Sequence, residues 1–154
     1  MRFALAAVLC LSAGCAGPGV ITAYRGSAQE TGTIVTAMRD DTFRQTDNQI
    51  TAVDDARYEK GGYTAYVQAG SRRIGVQGTL RGVGKQLRIQ HCSFDLNIEG
   101  GCTYQPEIPA YPRSALDQPA TAAWRLTRSM TVVAQCADTS YALQVPLECS
   151  SVRP

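Results

Sequence analysis

The chain has one histidine, His91, and it stands directly beside Cys92. An imidazole titrating near neutrality is the usual base for a serine or cysteine nucleophile. With Cys92 expected to be oxidised there is no thiol for it to activate, so His91 reads as a strand histidine without catalytic duty. A single histidine also excludes a multi-histidine metal site within one chain. Carboxylates gather early, as Asp40, Asp41, Asp47, Asp54, Asp55 and Glu59. Paired carboxyls hydrolyse glycosides and dense loops of them hold calcium. No D-x-D-x-D-G spacing occurs, and these residues read as solvated turn positions. Gly78 to Gln86 has the outline of a phosphate-binding loop, G-x-x-x-x-G-K-[ST]. Thr79 stands where the first glycine belongs and Gln86 replaces the hydroxyl residue. The segment therefore reads as a turn, and no cofactor or metal is expected.

Positive charge concentrates in Arg72, Arg73, Arg81, Lys85 and Arg88, with no acid between them. On strands facing water these five side chains would form a basic face for anionic lipid head groups, lipopolysaccharide phosphate or an acidic envelope protein. The alternative is pairing with the acidic segment of the same domain. Over the whole chain, 15 Lys and Arg against 13 Asp and Glu leave a net charge of +2. That is too little for phosphate contacts to dominate affinity, and nucleic-acid binding is not expected.

Six cysteines in 154 residues point to an oxidising compartment. Cys10 and Cys15 belong to an export segment. The other four, Cys92, Cys102, Cys136 and Cys149, are separated by nine, 33 and twelve residues, which supplies none of the close pairs a four-cysteine zinc site uses. Two disulfides are expected. A hairpin about Gly100 and Gly101 would hold Cys92 and Cys102 at opposite ends, and one about residues 137–140 would do the same to Cys136 and Cys149. A bridge needs Cα atoms about 4.4 to 6.8 Å apart. Bridges between the hairpins, Cys92 to Cys149 and Cys102 to Cys136, escape that objection, whereas proximity in sequence favours the local pairs. Both connectivities stand.

The elements that must carry these residues are strands. Apolar and polar residues alternate at Ile74, Val76 and Leu80, at Phe94, Leu96 and Ile98, and at Tyr141, Leu143, Val145 and Leu147. Weaker strands are expected at 32–38, 48–53, 63–69, 86–91 and 130–136. Gly61-Gly62, Gly70-Ser71, Gly82-Val83-Gly84 and Gly100-Gly101 mark turns. Residues 114–128 have room for a short helix after Pro112. Pro106, Pro109, Pro112 and Pro119 bar residues 106–119 from a central strand, and the segment reads as a surface loop. The expected fold is mainly β, a small antiparallel sandwich or partly open barrel stapled by two disulfides.

At the N-terminus, Met1 and Arg2 precede an uncharged apolar run, Phe3 to Leu11, and then Ser12-Ala13-Gly14-Cys15. This is the layout of a secretory signal, and the run is shorter than the roughly 20 residues that cross a bilayer. Leu11 to Cys15 resembles the lipobox of bacterial lipoproteins, with Ser12 and Leu11 displaced from the commonest pattern. The resemblance implies cleavage after Gly14 and diacylglyceryl modification of Cys15 as the new first residue. It also implies sorting to the outer membrane, since Ala16 rather than Asp follows. Residues 1–14 are then the signal, 15–31 the lipidated terminus and tether with Ile21 to Arg25 able to join the sheet, and 32–154 one periplasmic domain. About 140 residues suffice for a core without metals.

From Thr33 to Tyr104 the chain resembles small proteobacterial envelope lipoproteins with a PEGA-like β-domain. The matching stretches are Val53-Asp54-Asp55, then Ala69 to Val76, then Gly101-Cys102-Thr103-Tyr104. Asp55, Ala69 and Arg72 depart from the Gly, Pro and His of that pattern. The resemblance implies an envelope-facing β-module and brings no active site with it. The expected function is a non-catalytic binding or scaffolding module held to the bilayer by Cys15, not an enzyme. The alternative is an inhibitor of an envelope-targeting hydrolase such as lysozyme, inserting the Gly70 hairpin or the 106–119 loop.

Overall fold

The computed structural model describes residues 19–36, 39–41, 44–81, 87–119 and 121–152. In chain order these form β1 (Val20–Thr22), β2 (Thr31–Val35), β3 (Arg39–Asp41), β4 (Arg44–Val53), β5 (Ala56–Gly62) and β6 (Thr64–Gln68). They are followed by β7 (Gly70–Arg81), β8 (Leu87–Ile98), β9 (Thr103–Pro106), the helical turn α1 (Arg113–Leu116), β10 (Arg125–Gln135) and β11 (Ser140–Ser150). The protein is mainly β. One sheet runs β1-β6-β2-β9-β10-β11-β8-β7-β4-β3, with β5 also paired to β4. The sheet curls into a nearly closed barrel. At the seam the Tyr63 N–H donates to the Gly19 carbonyl at 2.7 Å, and Thr36 Oγ1 donates to the Asn48 carbonyl at 2.8 Å. Most neighbours are antiparallel, but β1 with β6 and β2 with β9 run parallel.

Period-two alternation becomes the inside and outside of the barrel. Ile74 and Val76 on β7, Phe94, Leu96 and Ile98 on β8, and Val145 and Leu147 on β11 point inward with Ile34, Ile50, Tyr104 and Val132. Strand register brings Ile74 opposite Phe94 and Val76 opposite Cys92, so apolar side chains meet in rows. Ile21 is buried in the same core, which draws β1 out of the tether region and into the sheet.

Several local expectations need correction. Gly70 does not turn a hairpin, because β6 lies beside β1 and β2 whereas β7 lies beside β4 and β8. Its φ of +112° instead re-aims the chain from one side of the barrel to the other. Gly100 and Gly101 likewise close no hairpin, since β9 pairs with β2 and β10 and not with β8. The strands expected at 86–91 and at Phe94 to Ile98 are one, β8 (Leu87–Ile98), with residue 86 outside the described residues. The helix expected within 114–128 is only the turn Arg113–Leu116, because from Arg125 onward the backbone is paired with β11. Nor is 106–119 a bare surface loop. Ile108, Tyr111 and Ala115 are buried, and the segment lies as a cap over one mouth of the barrel.

The two disulfides are Cys92–Cys149 and Cys102–Cys136. The first joins residues directly opposite each other on β8 and β11, and the second fastens the entry to β9 to the exit from β10. These are the long-range pairs.

Candidate functional site

A groove of about 350 Å³ lies on the outer wall, over β4, β7, β8 and β11. Its floor is a row of small residues. Ala52 pairs with Gly75, Gly75 with Ser93, and Ser93 with Glu148. Gly75 keeps this floor low, because a Cβ there would stand 2.9 Å from the Ala52 Cβ. The register of β4 shifts between Ile50 and Ala52, beside this floor.

Charged side chains of both signs wall the groove. Arg73 spans it: Nη2 donates to Ser93 Oγ at 2.9 Å and to Glu148 Oε2 at 3.0 Å, and Nη1 approaches Asp95 Oδ2 at 3.4 Å. Asp54 closes one end. Its Oδ1 accepts the Arg73 backbone N–H at 2.9 Å, its Oδ2 accepts from Arg72 Nη1 at 3.2 Å, and its own φ of +51° turns the chain from β4 into β5. Asp55, Arg57, His91 and Arg125 complete the lining. His91 thus lies in the groove, one position along β8 from Cys92. The Ser93 hydroxyl accepts its bond from a guanidinium, which lowers its nucleophilicity. Chemically the arrangement suits an extended polar chain laid across the strands, which could exchange hydrogen bonds with guanidinium, carboxylate and hydroxyl groups.

The structure disperses the basic residues singled out in the sequence. Arg73 points outward into the groove. Arg72 lies at the barrel end near Asp54, also donating to the Gln68 and Ala69 carbonyls. Arg88 lies at the opposite end beneath the cap, where Nη1 donates to the Ala115 carbonyl at 2.8 Å and to that of Gln118 at 3.1 Å. Arg81 ends β7 at that same mouth, with its side chain outside the described part. Lys85 and Cys15 lie outside the described residues. Of the acidic cluster, Asp47 accepts from the Tyr63 hydroxyl at 2.7 Å, Asp54 is placed as above, and Asp55 and Glu59 are exposed.

Two clusters were not visible in the sequence. In the cap, Trp124 Nε1 donates to the Tyr111 hydroxyl at 2.8 Å with the rings edge to face, centroids 5.3 Å apart, and the Arg88 guanidinium lies 6.0 Å from the Tyr111 ring centre. Arg128 adds a bond to the Ala110 carbonyl at 2.7 Å, and Gln90 Nε2 one to Pro109 at 3.0 Å. Aromatic residues among the prolines were the available signal. The second cluster surrounds Cys102–Cys136. The Tyr104 hydroxyl accepts the Glu99 N–H at 2.7 Å, and the Tyr141 hydroxyl donates to Glu99 Oε1 at 3.3 Å. Removal from water, the adjoining Tyr104 hydroxyl and the Glu99 carboxylate push Tyr141 up to about 12. Ligand atoms of Glu99, Cys102 and Cys136 lie within 4.8 Å of one another, but both sulfurs are joined in the bridge and offer no thiolate.

No protein family, curated protein or solved structure matches this chain. Among the described residues no helix is long and apolar enough to cross a membrane.

Proposed function

We propose that this is an outer-membrane lipoprotein, anchored through acylated Cys15, whose barrel works in the periplasm as a non-catalytic binding module. The export signal supports the address, and two disulfides suit an oxidising compartment. The observation that carries the binding role is the groove floored by Ala52, Gly75 and Ser93 and bridged by Arg73. Its partner is an extended segment of an envelope protein, recognised by charge-assisted hydrogen bonds to the side chains that wall the groove.

The test is photocrosslinking in intact cells from a reactive residue at Gln77, which lies next to the floor and opposite His91. A single envelope protein is expected, captured by the wild type and lost when Gly75→Leu fills the floor. Capture that the filled groove leaves unchanged would overturn the binding site. Turnover by the purified protein, abolished by replacing one side chain, would overturn the non-catalytic role, and inhibition of lysozyme at micromolar concentration would replace it with an inhibitory one.

A further inference from the structure

We propose that the barrel stands end-on against an anionic phospholipid surface, through the mouth at which β1 begins. This rests on the reading of Cys15 as the acylated first residue. Strand directions settle which mouth that is. From the pairings, β1, β4, β6, β8 and β10 start there and β2, β7, β9 and β11 finish there. The Gly19 carbonyl is bonded to Tyr63 beside Gly62. From Gly62 a row of paired residues runs through Ile50, Val76, Cys92 and Cys149 to Leu126. Beyond that row, β8 extends from Cys92 back to Leu87, about 17 Å along the strand. Cys15 precedes Gly19 by four residues, which reach at most about 14 Å. An anchor on so short a leash holds Gly19 close to the head groups, while β8 overhangs it by a similar length. Measured along the strand, an overhang of that length is long enough to reach the bilayer.

The composition of this mouth fits that contact. Four large apolar side chains are exposed among the described residues, and three of them are here: Leu87 at 55%, Leu126 at 36% and Val152, just past the end of β11, at 59%. Arg113 on the cap and Arg125 beside Leu126 are exposed at the same mouth. Strand register adds Arg39, Arg44 and Arg81 to it, so that these five arginines with Arg88 outnumber its carboxylates, Asp117 on the cap and Asp40 and Asp41 on β3, whose row runs through Gln45 and Arg81 to Leu87. Apolar side chains interspersed with arginines are what an interfacial surface presents to acyl chains and anionic head groups.

The experiment uses the mature acylated protein in phosphatidylcholine and phosphatidylglycerol vesicles whose acyl chains are brominated. Its readout is emission from Trp124, the single tryptophan, which lies at this mouth two residues before Leu126. Emission is expected to be lost relative to unbrominated vesicles. It should be retained by the double variant Leu87→Asp, Val152→Asp, whose two exposed positions leave the core intact and whose anchor is unchanged. Anchored protein whose emission ignores the bromine, or a variant quenched as strongly as the wild type, would overturn the proposal. Equal quenching on phosphatidylcholine alone would overturn the preference for anionic lipid. An N-terminal peptide carrying no acyl mass would instead overturn the anchor. The surface is then judged by floating the unlipidated full chain with the same vesicles: flotation abolished by the double variant supports it, and no flotation overturns it.

Discussion

Cys92 and Cys149 occupy a single register position of β8 and β11, 4.1 Å apart at their Cα atoms, with their sulfurs bonded. The bridge spans 57 residues of sequence and ties the last hairpin, β10 and β11, to the β7 and β8 pair. Closing a loop of that length removes denatured-state freedom worth about 4 kcal/mol in the chain-entropy model. The double variant Cys92→Ser, Cys149→Ser is expected to lose about 2 to 5 kcal/mol of stability. Urea denaturation under non-reducing conditions, compared with wild type, measures it.

Arg88 fixes the cap by donating to two carbonyls and lying near the Tyr111 ring. Lysine at that position keeps the charge but lacks the fork that reaches Ala115 and Gln118 together. Arg88→Lys is expected to cost about 1 to 2 kcal/mol. Hydrogen exchange should speed up across 109–119 and stay unchanged in β2 and β6. Uniform acceleration throughout the barrel would show that the cap is not a separable unit.

Gly78 lies between two buried amides, and a Cβ there would meet Asn48 Oδ1 and Gln90 Nε2, each at 2.9 Å. Neither amide has room to retreat, since Asn48 and Gln90 are 3% and 1% exposed. Gly78→Ala is expected to destabilise by about 1 to 3 kcal/mol although it replaces glycine inside a strand, where alanine normally gains. A thermal melt that rises would contradict the packing described for this row.

Tyr141 makes stability depend on alkaline pH. Its folded pKa, pushed up to about 12, exceeds the ordinary value of 10.0, so the neutral phenol is favoured in the fold. The stabilisation is complete below pH 10 and disappears as pH rises from 10 towards 12, because the unfolded chain deprotonates first. Tyr141→Phe should flatten that decline, and absorbance titration of the folded variant should lack a phenolate step at about 12. An unchanged profile would exclude Tyr141 as the group responsible.

The parts of this fold legible in the sequence are those written in nearest neighbours. Alternation at Ile74 to Leu80, at Phe94 to Ile98 and at Tyr141 to Leu147 becomes β7, β8 and β11, because a half-buried strand imposes period two whatever its partner. Partner choice was not legible. Gly70 and Gly101 mark a change of direction in the backbone, but positive φ says nothing about which strand the chain meets next. The parallel pairs of β1 with β6 and β2 with β9 set Ile21 opposite Ala65 and Ile34 opposite Tyr104 in the core, partners 44 and 70 residues apart. The groove escaped notice for a related reason. Ala52, Gly75 and Ser93 carry no chemistry singly, and their smallness matters only once register sets them side by side. Arg88 read as one of five solvent-facing cations, because its carbonyl partners lie 27 and 30 residues further along the chain.

The Cys102–Cys136 bridge encloses the whole cap, since residues 107–119 fall between its two half-cystines. A peptidase that cleaves anywhere in that span produces two fragments that stay in one covalent body. Such a nick escapes notice on a non-reducing gel and appears as two bands only after thiol is added, so the most proline-rich stretch of the molecule can be severed without the barrel coming apart.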